Sequence, residues 1–392
     1  MLPNIASARS LTVPVMAVFL VMGCTSAPSE SAPLFERIAL EQAGDAGVHT
    51  YRIPALVVTR DGTLIAAFDA RNDSSGDLPG NIDVMVRRSS DLGRTWSPAT
   101  RAVNFDGGRG GGDPSLLLDR STGRVFLFYL FAPAGIGIFS SNADRHPDSP
   151  GTTHPHVLWS DDSGATWQGP RNLIGRIKPE GATGMFATSG HGIQLADRSP
   201  WPGRLLQPFA WLDESRAMHA ANAYSDDHGE TWTLGVSIGS GLDENKAVEL
   251  ADGSVMQNIR SYTKDCAHRL AAISLDGGIS YGPVRVEDEL PDPRNNADII
   301  RVAPDAPPDS REAQWLVFIN TVSEVRRENL TVRLSYDSGR SWSVSRVVHP
   351  GPAMYATMVR LPDASFGILY ENGDAQGLTF VRFNLAWLRG DG

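Results

Sequence analysis

The sequence predicts an all-β chain, a six-bladed β-propeller built from four-stranded antiparallel blades. Three observations predict it. The eight-residue pattern Ser-x-Asp-x-Gly-x-(Thr/Ser)-(Trp/Tyr) occurs at positions 89–96, 160–167, 225–232 and 335–342, with a weaker copy at 274–281. The copies recur roughly every 60 residues, the length of one four-stranded blade with generous loops. Apolar, β-branched runs flank them, as at 82–86 and 330–334, and read as strands entering a tight turn. No amphipathic helical window of convincing length competes.

Within each copy, Asp followed two residues later by Gly makes an Asx-type turn with a left-handed position, which Gly takes without steric cost. The Ser and Thr hydroxyls can bond the turn backbone, and the closing Trp buries a large apolar surface beneath it. The acidic residues read as scaffold, because a calcium loop needs a denser run of oxygen ligands over a dozen positions. The repeat therefore argues for a fold and leaves the function to other residues.

The N-terminus reads as a targeting segment. Residues 11–22 form an apolar run behind Arg9, shorter than the roughly 18 residues a membrane span needs. Val21-Met22-Gly23-Cys24, followed by Thr25-Ser26-Ala27-Pro28-Ser29, resembles a bacterial lipoprotein signal in which Cys24 is lipidated; a plain secretory signal is the alternative. The expected organisation is a signal peptide over 1–24, a Ser/Pro linker over 25–35 and a propeller over 36–390. The chain is then exported and touches a membrane, at the cell surface or in the outer or periplasmic compartment, only through its lipid; the alternative is secretion. Cys266 is the other cysteine, so a lipidated Cys24 leaves no intramolecular disulfide. The net charge of −10 and the lack of a Lys/Arg run argue against a nucleic-acid partner. They do not argue against an anionic small substrate, since a few arginines in a cleft outweigh a diffuse field.

Some residues lie outside what the repeat explains. Tyr51-Arg52-Ile53-Pro54 opens an apolar strand, Asn258-Ile259-Arg260 ends one, and Arg327 precedes the strand leading into the last copy of the repeat. Arginine is costly to bury without an anionic partner. Together with the repeated turns, which are of the Asp-box kind, these residues resemble the bacterial exo-α-sialidases of the retaining neuraminidase superfamily, along essentially the whole chain from about Phe35 to Leu388. The resemblance implies a glycoside hydrolase that removes terminal sialic acid from glycoproteins, glycolipids or oligosaccharides. It implies no metal or organic cofactor, sialylated glycans as partners, and a monomer.

The resemblance also implies site residues. Arg52, Arg260 and Arg327 match three arginines that hold the substrate carboxylate, which suits the forked, permanently charged guanidinium. Tyr355, in Met354-Tyr355-Ala356-Thr357-Met358, matches the nucleophile. Glu244 matches the glutamate that assists it, with Glu249 as competitor on the opposite face of an unbroken strand. A phenol nucleophile is chemically reasonable, because an Asp or Glu would meet repulsion from the substrate's own carboxylate. Asp77, in the Gly- and Pro-containing loop after the strand 64–68, matches the acid/base, with Asp73 as the alternative. Arg71 matches an arginine assisting at the carboxylate or a neighbouring hydroxyl, and Glu371 a carboxylate that orients Arg52. Asp113, in Gly112-Asp113-Pro114-Ser115, and the segment Gly184-Met185-Phe186-Ala187 match parts of the N-acetyl and glycerol pocket.

Three other signals are set aside. Residues 235–239 fit G-x-S-x-G without a strand–turn–helix context. The glycine run at 107–112 lacks the Gly-Lys-Ser/Thr ending of a phosphate loop. His154-Pro155-His156 has no third ligand and reads as a polar loop.

Overall fold

The structure, a computed structural model, describes Met1, residues 32–373 and residues 376–391. Cys24 and linker residues 25–31 lie outside the described residues. Residues from Ala32 onward form one compact unit. It is all-β with a β-propeller arrangement, carrying only two short α-helices, Ile174–Ile177 and Leu385–Arg389, among the described residues.

Antiparallel strands follow one another in chain order. Thr50–Val58, Leu64–Arg71, Ile82–Ser89 and Thr100–Val103 form the first sheet; Gly110–Leu118, Val125–Ala132, His154–Ser160 and Gln168–Asn172 carry the second. Ala182–Ala187, Leu205–Asp213, Met218–Ser225 and Thr233–Leu234 carry the third, and Leu242–Glu249, Val255–Ser261, His268–Ser274 and Arg285–Pro291 the fourth. Seven further strands form one sheet running from Asp298–Arg301 to Phe35–Glu41. At its middle lies the long strand Val344–Arg360, which pairs with Glu328–Ser335 through its first half and with Phe366–Asn372 through its second. Phe35 pairs with Phe383, so the N-terminal strand completes the last sheet and ties the two ends of the propeller together.

First strands pack on one another, Thr50–Val58 against Gly110–Leu118 and Val344–Arg360, and Leu242–Glu249 against Asp298–Arg301. Core clusters fill the space between successive sheets. Ala55, Ile65, Val84 and Val86 of the first sheet meet Leu116, Leu127 and Tyr129 of the second. Strands covered on both faces should be continuously apolar, and Val-Phe-Leu-Phe-Tyr-Leu-Phe-Ala at Val125–Ala132 is.

Each copy of the repeat joins the third strand of a four-strand path to the fourth, and all five make the same bonds. The Ser89 hydroxyl donates to Asp91 Oδ1 (2.8 Å) and accepts the Gly93 N–H (2.9 Å); Asp91 accepts the Thr95 N–H (2.9 Å) and hydroxyl (2.6 Å). Asp162, Asp227, Asp276 and Asp337 repeat the pattern. Two successive residues are left-handed, as at Leu92 and Gly93, yet only the second is always glycine. Packing supplies the reason. A Cβ on Gly93 would lie 2.1 Å from the Phe380 ring, and one on Gly229 2.1 Å from Phe126. These two turns press their backbone onto an aromatic ring of the preceding sheet, and Gly164 and Gly278 press theirs onto Ile65 and Leu206. Strand register places the turns away from Arg52: Ser89 pairs with Leu64 and Leu64 with Val58, whereas Arg52 pairs with Asp69.

Candidate active site

The first strands carry the candidate residues near their starts, and the ladder slips there. Register shifts fall between Arg52 and Ala55, Gly112 and Ser115, Leu242 and Asn245, and Ala353 and Ala356. A bulge breaks the in–out alternation and re-aims a side chain. Ile53 (φ 56°) and Asp113 (φ 55°) take left-handed backbone inside two of these bulges. As a result Arg52, Asp113, Glu244 and Tyr355 point into one cavity of about 260 Å³, joined by Asp77, Asp243, Arg260 and Arg327.

Arg52 is held from behind. Its Nε donates to Glu371 Oε2 (3.1 Å), and Glu371 Oε1 accepts the Ile53 N–H (2.8 Å). Glu371 is fully buried. One carboxylate thus secures both the guanidinium and the strained residue after it. Burial works against the charge on Arg52, but Glu371 and the neighbouring groups outweigh it and keep the cation. Arg260 ion-pairs with Asp243 (Nε to Oδ2, 3.2 Å), and its Nη1 donates to Glu244 Oε2 (2.5 Å) and to the Tyr355 hydroxyl (2.9 Å). Arg327 donates to the Arg294 carbonyl (2.8 Å). The guanidinium carbons of Arg52 and Arg327 lie 5.6 and 5.4 Å from the Tyr355 ring centre, within cation–π reach.

Tyr355 is buried. Desolvation, then the charge of Glu244, push its phenol above the ordinary range, while Arg260 and Arg327 pull it back. Glu244 and Tyr355 meet at the same nitrogen, Nη1 of Arg260, so a ligand that engages this arginine alters what both can do.

Asp77 stands on the loop between Leu64–Arg71 and Ile82–Ser89, with its side chain 76% exposed. Arg71 Nη1 reaches its Oδ1 at 2.7 Å and Arg52 Nη1 at 3.7 Å. Asp73, the alternative, does not line the cavity. Arg71 does not line it either: only 1% exposed, it pairs with Asp69 Oδ2 (3.2 Å) and holds the Asp77 loop from beneath. Asp69 also accepts the Asp113 N–H at 3.0 Å, and burial pushes its carboxyl up to about 7 despite Arg71 beside it. Burial, with Asp69 and Asp77 nearby, raises Asp113 strongly. From the segment Gly184-Met185-Phe186-Ala187, Phe186 reaches the cavity, where it joins Leu130 and Met218 in an apolar wall. Glu249 points elsewhere, its Oε2 accepting the Ala196 N–H at 2.8 Å.

Asp243 and Asp69 belong to this constellation without having been singled out. Asp243 is adjacent to Glu244, and an unbroken strand would send the two to opposite faces; the bulge lets both reach Arg260. The readable signal was an acidic pair opening a buried strand. For Asp69 it was Asp-x-Arg within a strand, since that strand runs to Arg71 and not to Phe68. Two motifs set aside also find their place. Gly110 lies in a strand under the Asp77 loop, where a Cβ would come within 2.7 Å of the Gly80 carbonyl. His154 and His156 are in the strand His154–Ser160 and not in a loop. His156 Nδ1 lies 3.0 Å from the Tyr129 hydroxyl, and burial takes its pKa down to about 3.

The BNR repeat-like domain family matches residues 62–368. A sialidase of Micromonospora viridifaciens is 41% identical over 401 residues, covering 99% of this chain and 61% of that protein. A sialidase of Bacteroides fragilis is 29% identical over 361 residues, covering 89% of this chain and 64% of that protein. The chain thus spans less than two thirds of the length of these two curated relatives. Among solved structures, the Hadza microbial sialidase Hz136 superposes with a TM-score of 0.80 at 29% identity, over 90% of this chain and 69% of that one. A match running through all five turns, with sialidases as the similar proteins, makes this chain a member of the BNR repeat-like domain family.

Proposed function

We propose that this chain is an exo-α-sialidase that hydrolyses terminal sialic acid from glycoconjugates with retention at the anomeric carbon. One observation carries the reading: three guanidinium groups from distant parts of the chain, Arg52, Arg260 and Arg327, surround the Tyr355 phenol in a cavity that also holds Glu244 and Asp77. The named relatives support it.

The substrate carboxylate is taken by Arg52, Arg260 and Arg327 in charge-assisted forks. Engaging Arg260 draws its Nη1 from Glu244 and Tyr355, so Glu244 is free to accept the phenol proton. Tyr355 attacks the anomeric carbon as the bond to the leaving oxygen breaks, and Asp77 protonates that oxygen. Asp77, now a carboxylate, takes a proton from water, whose oxygen displaces Tyr355; the phenolate regains its proton from Glu244. Asp113 and the wall of Leu130, Phe186 and Met218 suit the mixed polar and apolar N-acetyl and glycerol groups.

The seven-stranded sheet acts as two blades sharing Val344–Arg360, for a total of six, since core residues of its two halves, Val317 and Val332 against Ile368 and Val381, pack in one cluster. The chain works as a monomer, exported and anchored through lipid on Cys24.

Turnover of an aryl sialoside by the purified chain tests the activity, and Tyr355→Phe tests the nucleophile. The variant should lose at least roughly a thousandfold in kcat, and NMR should show the α-anomer released first by the unaltered chain. A chain that leaves the sialoside intact removes the activity. A Tyr355→Phe variant at full rate removes only the nucleophile.

A further inference from the structure

A second cavity, of about 580 Å³, lies at the ends of the first strands remote from Arg52. The same strands serve both: Thr50–Val58 gives Arg52 to one cavity and Leu56 to the other, and Val344–Arg360 gives Tyr355 to one and Met358 to the other. Six residues of extended chain, roughly 20 Å, separate Arg52 from Val58.

Four arginines, Arg120, Arg198, Arg301 and Arg360, line this second cavity. Arg52, Arg71 and Arg260 of the first site all have carboxylate partners; among the described residues these four form no ion pair. Arg120 and Arg198 donate to the carbonyls of Gln194, Leu195 and Pro304. Arg301 donates to those of Pro304 and Ala313, and its Nε is buried without a partner, as is that of Arg360. Carbonyls satisfy donors but do not neutralise charge. Arg301 is 7% exposed, and a guanidinium so buried is costly unless an anion meets it. Burial and the neighbouring Arg198 press its pKa below the ordinary value. Of the cavity's carboxylates, Glu249 and Asp305 favour the charge on Arg301 without outweighing burial and Arg198, and Asp197 and Asp305 are exposed at the rim. Leu56, Val248, Ile299 and Met358 add apolar lining, and a cavity of this volume with an apolar wall beside charged groups suits a small organic molecule.

We propose that this cavity is a second ligand site that takes an organic carboxylate with an apolar body, its carboxylate held by Arg301 and Arg360. The site is independent of the sialidase reading, because its residues are not those of the first cavity.

Hexanoate and its neutral analogue hexanamide, titrated into the full chain by calorimetry, test it. Hexanoate should bind at least about tenfold more tightly than hexanamide, and Arg301→Met should weaken it by about tenfold or more, one charge-assisted contact being worth a decade or so. Arg360→Met should do the same and covers the case in which Arg301→Met fails to fold. Aryl sialoside turnover should remain that of the unaltered chain in both. Arg260→Met, which disrupts the first cavity, should leave hexanoate binding in place. The proposal is overturned by hexanoate binding no tighter than hexanamide, by binding indifferent to the Arg360→Met change, or by binding lost in Arg260→Met.

Discussion

Replacing Glu371 by Gln removes one charge from a fully buried position and keeps the shape. The carboxylate serves two donors, Arg52 Nε at 3.1 Å and the Ile53 N–H at 2.8 Å. Glutamine keeps an oxygen for one of them and turns an amide N–H₂ toward the other. Arg52 is then left with Asp77 at 3.7 Å, an exposed and solvent-screened partner. A hydrogen bond to a charged group contributes about 1.5–3 kcal/mol, so Glu371→Gln should lower unfolding stability by about that much. Glu371→Ala, which strands both donors, should cost about 3–5 kcal/mol. Urea unfolding reads this as a lower midpoint with unchanged slope. Kinetics should report the same loss as weaker carboxylate capture: KM for an aryl sialoside rises about tenfold or more, each factor of ten being 1.4 kcal/mol, while kcat changes less. An unaltered midpoint together with an unaltered KM in Glu371→Gln would refute the idea that this carboxylate orients Arg52.

Other outcomes follow from the turns. Gly93→Ala combines a left-handed φ of 84° with a Cβ 2.1 Å from Phe380, so urea midpoints should show about 2–4 kcal/mol of destabilisation from strain and overpacking. Gly44→Ala, equally left-handed (φ 90°) but facing open space, should cost only about 1 kcal/mol. The Thr166 hydroxyl and N–H hold the Asp162 carboxyl down to about 2, below its usual 3.8. A depressed folded-state value means stability that is fully present above the unfolded value and lost as pH falls through the folded one. Unfolding followed stepwise from pH 4 to pH 2 should therefore show a steeper loss in the unaltered chain than in Asp162→Asn, and parallel curves would contradict it.

Much of the fold was readable because its determinants are local. Ser89, Asp91, Gly93 and Thr95 bond one another within a few residues, so the pattern is complete in the sequence wherever it recurs. The arginines were legible only through resemblance: Arg52, Arg260 and Arg327 match positions of a known family's motifs, whereas an arginine at a strand end is by itself more often a surface residue. Arg71 was harder. Its spacing from Asp69 said only that the two share a strand face, and the loop it supports was placed by pairing with Ile82–Ser89. The histidines at 154 and 156 looked like a polar loop because the proline between them masks the strand, whose pairing with Val125–Ala132 is a long-range event.

By itself the sequence determined the repeated turn, the antiparallel order it imposes and the residue types available for chemistry, all of which depend on neighbours a few positions apart. Tertiary structure alone decided where those residues point. The slips in register at Arg52, Asp113, Glu244 and Tyr355 arise from how each first strand meets its partner, and they turn four side chains into a common cavity. Strand pairing decides facing, and pairing is settled between residues far apart along the chain.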